Sequence, residues 1–383
     1  MSQGECASQS KVSAIGLLRV VILFTIVAGA TAGCGTIESG QQRMGGSASS
    51  SIVRIGPPET VLSSTERPYA WPDGTMGILR DGAKYRFFAA ANGYPKATMG
   101  TLDNPIAEGV RNLKIEGLKK PYDYVAGGPI YRDDHTGCLL MFYHAEVYTF
   151  PPGYLPFYSE LGLARSLDEG KTWVDMGTFL TPHLSQQAPY FQTQRRTWDI
   201  GWGGYTIVGD FFYVYFADLL DVAGEHRRVN HAVARARIDD VIRAATEQGT
   251  VSTWVKYYEG GWSESGLGGR SSPLIAQGDE SFLMGDVSYN TYLKKYVAVL
   301  IGEPWPNSDL YWIESDDGLR WTHYRNIVDD PGEDIYVTIA GLGEQPRHSG
   351  KEFYVYYVHS PDFPKMGNRN KVGNLVRRLI TVR

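Results

Sequence analysis

Carboxylates that stand close to aromatic or histidine side chains are the residues of this chain best suited to chemistry. Asp73 follows Trp71 by two residues, and Glu146 follows His144 by two. Carboxylates bind hydroxyl groups or move protons, and aromatic rings stack on the apolar faces of sugars, so these neighbours predict a saccharide site. The predicted catalytic residues are Asp73, Glu146 and Asp199. The predicted substrate-binding residues are Trp71, His144, Trp198, Trp202, Asp286, Glu303 and His359.

Each candidate also has a structural interpretation that the sequence leaves open. The alternatives are a plain turn at Asp73 and Gly74, an ion pair between Glu146 and Arg165, turn or capping positions for Asp199 and Asp286, and rim positions for Asp218 and Glu303. Glu333 and Asp334 follow Pro331 and are expected in a solvated loop. Because no His/Asp/Glu cluster has ligand spacing, we predict no metal site.

The elements that would position these residues are predicted from a turn followed by an alternating aromatic strand. This pattern occurs five times, at 81–88, 136–143, 209–216, 292–299 and 349–357. Strand, tight turn and strand indicate a hairpin, and the spacing leaves room for one four-stranded blade per repeat. Helical periodicity is confined to Ile238 to Gln248. We therefore predict an all-β, five-bladed β-propeller, with an irregular β-sandwich as the alternative.

Propeller geometry predicts which residues meet at the axis. The innermost strand of each blade starts on one face, and the second strand returns to that face. Strand starts would place Asp73, Asp199 and Asp286 at similar heights, and strand ends would add Glu146 and His359. The hairpin turns would lie on the opposite face. The candidate residues are thus expected to converge on one pocket.

Two further turns resemble the Asp-box of sialidase-type propellers. One is Ser166-Leu167-Asp168-Glu169-Gly170-Lys171-Thr172-Trp173, and the second runs from Ser315 to Trp321 without the threonine. Asp and Gly shape a tight turn while Trp packs between blades, so we predict structural roles for Asp168 and Asp317.

The N-terminus predicts export. Lys11 and Arg19 precede an apolar run of 11 residues, Val20 to Ala30, which is too short to span a bilayer but fits a signal peptide. The following Thr31-Ala32-Gly33-Cys34 resembles a bacterial lipobox, which implies lipidation of Cys34. An ordinary signal peptide is the alternative. We predict a signal peptide at 1–33, a lipidated cysteine and flexible linker at 34–65, a propeller at 66–383, and a monomer anchored to the outer membrane or cell surface.

Cysteine content and charge narrow the class further. Once the signal is removed and Cys34 carries lipid, Cys138 is alone, so we predict no intrachain disulfide and a buried, inert thiol. The net charge is −5 and no Lys/Arg cluster stands out, so a nucleic-acid partner is not expected. No cofactor is predicted. A structural calcium ion on the axis is compatible with the fold, but no residue pattern indicates one.

The chain after about residue 66 resembles the five-bladed propeller glycosidases that include glycoside hydrolase family 43. The resemblance lies in Pro72-Asp73-Gly74, in 81–85 and in 162–166 before the first Asp-box. It implies an aspartate base in the first blade, a role that Asp73 matches by position. The second aspartate and the glutamate acid of that group do not match cleanly, because Gly127 and Gly128 stand where an aspartate is expected and Asp199 stands in place of glutamate.

We therefore expect a glycoside hydrolase in which Asp73 activates water and Glu146 protonates the leaving oxygen. Two alternatives remain open. A sialidase-like enzyme would need an arginine cluster, for which Arg67, Arg195, Arg196 and Arg270 are available. A non-catalytic surface protein would bind sugar in the same pocket without an acid–base pair.

Overall fold

The computed structural model describes residues 51–383, except 92, 149–156, 187–197, 202, 223–224, 276–281, 303–307 and 362–372. Two short strands, β1 (Val53–Ile55) and β2 (Glu59–Leu62), come first, and a 3-10 helix covers Pro68–Ala70. Five blades follow, and they confirm the predicted all-β propeller.

The first two blades are antiparallel sheets. Blade one consists of β3 (Gly77–Asp81), β4 (Lys84–Ala91), β5 (Tyr94–Gly100) and β6 (Val110–Asn112). A short strand, β7 (Ile115–Glu116), then leads to blade two, which consists of β8 (Tyr124–Arg132), β9 (Leu139–Tyr148), β10 (Phe157–Ser166) and β11 (Trp173–Leu180). β7 pairs in parallel with β11 at the outer edge of blade two.

Blade three is connected to blade two through a bridging strand. β12 (Trp198–Gly201) pairs with β10 on one side and with β14 on the other. The blade consists of β13 (Tyr205–Val208), β14 (Phe211–Val222), β15 (Glu225–Arg237), β16 (Val255–Tyr258) and β17 (Gly261–Ser265). After β15 come α1 (Ile238–Arg243) and a π-helical turn, Ala244–Gln248, at the one place where the sequence predicted helix.

The last two blades complete the ring. Blade four consists of β18 (Phe282–Asn290), β19 (Lys295–Gly302), β20 (Leu310–Ser315) and β21 (Arg325–Val328). Blade five contains β22 (Glu333–Gly341), β24 (Glu352–Ser360) and β25 (Asn374–Val382), and β23 (His348–Ser349) pairs with β18.

The outer edge of blade five corrects one predicted boundary. β1 and β2 both pair antiparallel with β25. Residues from Val53 to Leu62, predicted as linker, therefore belong to the propeller. This pairing joins the beginning of the described chain to its end, which the local sequence pattern did not reveal.

The hydrophobic core is divided among the seams between blades. Five buried clusters each join neighbours, and the cluster between blades five and one includes Trp71, Phe87 and Tyr356. Cys138 is buried in the cluster between blades two and three, and burial raises its pKa to about 11, as expected for an inert thiol.

The predicted hairpin turns all connect the two inner strands of their blades. We call the side that carries these turns the lower face, and the side where the inner strands begin the upper face. The first turn has Gly82 in the left-handed region at φ 62°, where glycine meets no steric penalty. The second strands, including β4 and β9, therefore rise towards the upper face, where their carboxyl ends lie.

Candidate active site

Asp73 lies at the upper face, just before blade one begins. Its amide donates to the carbonyl of Ala90 at 2.8 Å, which fixes it beside the upper end of β4. The Tyr124 hydroxyl donates to the Asp73 carboxylate at 2.9 Å, and Asp73 is 8% exposed. Asp73 is thus held in place by contacts from both blade one and blade two.

Glu146 and His144 occupy alternate positions near the upper end of β9, so both side chains point to the same side of the strand. His144 Nδ1 lies 3.8 Å from a Glu146 carboxylate oxygen, and its Nε2 lies 3.2 Å from Asp199 Oδ1. His144 therefore connects two of the three predicted catalytic carboxylates.

Asp199 is positioned by a serine on the neighbouring strand. Ser159 Oγ donates to Asp199 Oδ1 at 2.6 Å and accepts the amide of Ile200 at 2.8 Å. Ser159 is fully buried, and the Asp199 side chain is 21% exposed. The serine was not among the sequence candidates, because nothing local distinguishes it.

The charge arrangement is unusual at Glu146. The pKa of Glu146 is raised to about 7, mainly by burial and also by the nearby carboxylates Asp199 and Asp73, while His144 and a hydrogen bond with Tyr148 oppose the rise. No arginine or lysine among the described residues forms an ion pair with Glu146, which rules out the alternative of a pair with Arg165. Arg165 donates instead to the carbonyl of Ala245 at 2.6 Å.

Tyrosines supply much of the surroundings of these carboxylates, and none of them is among the residues predicted from the sequence. Tyr124 bonds Asp73, and Tyr148 bonds Glu146. Tyr336 is close enough to interact electrostatically with both Tyr124 and Arg67. Tyr336 has a left-handed backbone at φ 60° where the register between β22 and β24 shifts. Bulges of this kind redirect side chains and occur beside active sites.

Asp286 does not face the pocket as predicted. It is fully buried in the middle of β18, opposite Val299. Both carboxylate oxygens contact Arg347 Nη1, at 3.0 and 3.1 Å, and the amides of Val287 and Ile339 donate to them as well. A Cβ at Gly204 would lie 2.0 Å from Asp286, so this packing requires glycine there. The carboxylate thus has a structural environment.

The predicted sugar-stacking role of Trp71 is likewise corrected. Its side chain is fully buried and packs edge to face on Phe87, with ring centroids 6.4 Å apart. An indole in the core offers no face to a ligand. Trp202 and Glu303 lie outside the described residues, as does the side chain of Trp198.

His359 lies at the upper end of β24, where its Nδ1 is 2.7 Å from Asp334 Oδ1. This hydrogen bond raises the pKa of His359, and burial raises the pKa of Asp334 to about 6. Glu333 and Asp334, expected in a solvated loop, are fully buried at the start of β22. β22 already begins at Glu333, and because both sides of this inner strand are covered there, both acids are buried.

The two aspartates with predicted structural roles lie in turns between the outer strands of blades two and four. Asp168 accepts the amides of Lys171 and Thr172 at 3.1 and 2.9 Å. Asp317 accepts those of Leu319 and Arg320 at 2.9 and 2.8 Å. Both turns are at the lower face, away from Asp73.

Two cavities lie among the inner strands of the propeller. One of about 20 Å³ lies beside His144 and Gly128 and has room for about one water molecule. A larger one of about 460 Å³ opens at the lower face, lined by residues that include Arg80, Arg132 and Arg347. The predicted catalytic carboxylates do not line the larger cavity.

In the described part of the chain, no group of three or more His, Cys, Asp or Glu side chains could hold a metal ion. Arg67 donates to the carbonyls of Trp71 and Ala70, at 2.9 and 2.7 Å. Arg195 and Arg196 lie outside the described residues. Within those residues, no helix has the length and apolar character that a membrane span requires.

Comparison with known proteins supports the architecture. No protein-family model matches the chain. No curated protein matches it either. An alpha-L-arabinofuranosidase of Podospora anserina, solved with cellotriose, has a TM-score of 0.50 at 9% identity, covering 85% of this chain and 95% of that one.

Two further solved structures are similar. The catalytic domain of a GH62 alpha-L-arabinofuranosidase of Coprinopsis cinerea has a TM-score of 0.49 at 10% identity, covering 85% of this chain and 94% of that one. A family 117 glycoside hydrolase of Zobellia galactanivorans also has a TM-score of 0.49 at 10% identity, covering 87% of this chain and 90% of that one. The likeness to the Podospora enzyme shows the fold alone, and the narrower resemblance to family 43 stays a prediction.

Proposed function

We propose that the protein is a glycoside hydrolase that cleaves an oligo- or polysaccharide with carboxylate acid–base catalysis. The observation that carries the proposal is Glu146, a nearly buried carboxyl group whose pKa is raised to about 7 by burial and then by Asp199 and Asp73. A general acid works best when its pKa lies near the working pH, and raising a glutamate to this range is how glycosidases keep one carboxyl protonated.

In this reaction Glu146 gives its proton to the glycosidic oxygen as the bond to the anomeric carbon breaks. Asp73 takes a proton from the water that adds to that carbon. The Tyr124 hydrogen bond to Asp73 favours the ionised form that a base needs. Asp199, held by Ser159 and His144, orients the substrate. Proton and leaving group are thereby balanced between two carboxylates.

The first experiment is a screen of the purified protein against pooled polysaccharides, with reducing ends as the readout. Glu146→Gln and Asp73→Asn are each expected to lower the activity by about 10²- to 10⁴-fold. Glu116→Gln and Asp316→Asn, which replace exposed carboxylates, are the matched controls and should retain it. If neither active-site substitution lowers a detected activity, the assignment is wrong.

The product stereochemistry tests the role of Asp73. A base that activates water directly gives inversion at the anomeric carbon, whereas a carboxylate nucleophile gives retention. Proton NMR of the first product formed distinguishes the two. Binding of a polysaccharide without any release of reducing ends would instead favour the non-catalytic surface protein.

Fold likeness offers secondary support. The Podospora, Coprinopsis and Zobellia proteins are named as glycoside hydrolases or arabinofuranosidases. At this identity their substrates do not transfer to this chain.

We further propose that the protein is exported and anchored by lipid at Cys34, a residue that lies outside the described part of the chain. The apolar run before Cys34 supports this, and a saccharide substrate suits the cell surface. Cys34→Ser should move the protein from the membrane fraction to the soluble fraction after detergent-free lysis. Continued membrane association of that variant would argue against the anchor.

A further inference from the structure

Two solvent-exposed tyrosines stand on the upper face beside the candidate site. Tyr69 and Tyr94 are each 63% exposed, in a protein whose largest aromatic side chains are mostly buried. Tyr69 precedes Asp73 by four residues, and Tyr94 begins β5 at the upper end of blade one. Neither ring belongs to the acid–base pair, so their exposure calls for another explanation.

A single lysine connects the two rings. Lys96 Nζ lies 5.1 Å from the ring centroid of Tyr69 and 5.7 Å from that of Tyr94. Lys96 is 4% exposed, and it donates to Asn112 Oδ1 at 2.6 Å. Although the ammonium lies over both rings, each tyrosine remains 63% exposed, so both rings offer surface to a ligand.

The backbone around Tyr69 is held in a strained conformation. Tyr69 and Ala70 have φ angles of 58° and 62°, in the left-handed region that side chains other than glycine rarely adopt. Arg67 secures the segment through the carbonyls of Ala70 and Trp71. Strained backbone of this kind is retained where the surroundings enforce it, and it is common at ligand sites.

The residue before Tyr94 is in contact with the candidate site through Tyr124. A Cβ at Gly93, the neighbour of Tyr94, would lie 3.7 Å from the ring of Tyr124, whose hydroxyl bonds Asp73. Tyr124 therefore contacts both the Asp73 carboxylate and the residue that precedes Tyr94.

We propose that Tyr69 and Tyr94 form a stacking platform for a second sugar ring, and that the substrate is consequently a saccharide chain of several rings. This inference rests on the proposed saccharide function. The exposed ring surfaces match the apolar faces of pyranose or furanose rings, and Lys96, which is buried against both rings, helps to fix their positions. A protein partner on the same surface is the competing occupant, and the test separates the two.

Affinity gel electrophoresis of the full-length protein provides the test, with xylan, arabinan, galactan and a soluble β-glucan as separate probes. The polysaccharide that retards the wild-type protein is then used as a ladder of its own oligosaccharides in calorimetric titration. Tyr69→Ala and Tyr94→Ala should each weaken binding of the longer oligosaccharides by about 2- to 10-fold. Tyr94→Phe keeps the ring and should bind as the wild type does.

Tyr292→Ala is the matched control. Tyr292 is 50% exposed and has Lys351 Nζ 5.8 Å from its ring centroid, but it lies in a hairpin turn on the lower face. The same truncation there should leave saccharide binding unchanged. Melting temperatures of all variants show whether any loss arises from unfolding.

The inference and the hydrolase proposal fail in different ways. Glu146→Gln should lose hydrolysis and keep binding that depends on Tyr69 and Tyr94. Such binding in a protein that hydrolyses nothing would overturn only the hydrolase proposal. The platform is overturned if the alanine variants bind the longer oligosaccharides as the wild type does, if affinity does not rise with chain length, or if no polysaccharide retards the protein.

Discussion

Glu146 and Asp286 are both acidic side chains taken out of water on the inner strands of the propeller, and their surroundings are opposite. Asp286 has a guanidinium against both oxygens and two backbone amides besides. Glu146 has a histidine at 3.8 Å and two further carboxylates in its field. A buried charge is tolerated only when it is paired, and otherwise the group becomes protonated. Asp286, paired with a guanidinium, therefore holds blades together, while Glu146, which has no arginine or lysine partner among the described residues, keeps a proton available for chemistry.

Removing the arginine that pairs with Asp286 should have the largest effect on stability. Arg347→Met leaves the Asp286 carboxylate buried without its cation, and removing one partner of a buried pair typically costs about 3–5 kcal/mol. Arg347 also donates to the carbonyl of Val287 at 2.9 Å, so blades four and five lose a further connection. Urea denaturation measures the loss of unfolding free energy. Arg243→Met, at an exposed pair on α1, is the control and should cost under about 1 kcal/mol.

Glu146 should make the stability of the protein depend on pH. Because the folded pKa of Glu146 is raised to about 7 from 4.5, the folded protein keeps this proton more tightly than the unfolded chain. The contribution of protonated Glu146 to the free energy of unfolding is fully present below the unfolded pKa and is lost as pH rises through about 7. The shift corresponds to about 3 kcal/mol, at 1.36 kcal/mol for each pKa unit.

Glu146→Gln removes this titration and is the direct comparison. Urea denaturation at pH 4.5 and at pH 8 should show the wild type losing about 3 kcal/mol more than the variant over that interval. His359 and Asp334 titrate in the same direction, but they are present in both proteins and cancel. Equal pH slopes for the two proteins would contradict the raised pKa.

The serine that positions Asp199 should have an intermediate effect. Ser159→Ala removes the hydrogen bond to Asp199 and leaves the buried amide of Ile200 without its acceptor, which costs about 1–3 kcal/mol. We expect a corresponding fall in unfolding free energy together with a rise in KM, since Asp199 is no longer held. Ser159→Cys, which keeps a weak donor, should recover part of both. A stability loss with unchanged kinetics would limit Ser159 to a structural role.

The sequence was most informative where structure is set locally. Turn residues followed by alternating aromatic strands specified the five hairpins, because turn chemistry and a period of two are read within about eight residues. The pairing of His144 with Glu146 on one side of β9 follows from the same alternation. Each of these features needs no knowledge of distant parts of the chain.

Positions that depend on register or distant pairing could not be predicted. A register shift between Leu283 and Asp286 changes the side to which Asp286 points, so counting residues from the turn misplaced it. Another shift, in β22, reorients Tyr336, which the same counting did not identify. The indole of Trp71 packs in the seam between blades one and five, which only the closed ring creates. β1 and β2 find their partner near the other end of the chain.

The smallest effect is expected at the lower face, where Asp168 gives the sharpest contrast with Glu146. Backbone hydrogen bonds, first from Thr172, lower the pKa of Asp168 to about 2, so it is ionised throughout the working range. Its stabilising contribution is present above the unfolded pKa and lost only as pH falls towards 2. Asp168→Asn should leave kcat and KM unchanged and lower the melting temperature slightly, because the amide keeps only part of the turn's hydrogen bonds. A change in kcat comparable with that of Glu146→Gln would mean that the two faces are not functionally separate.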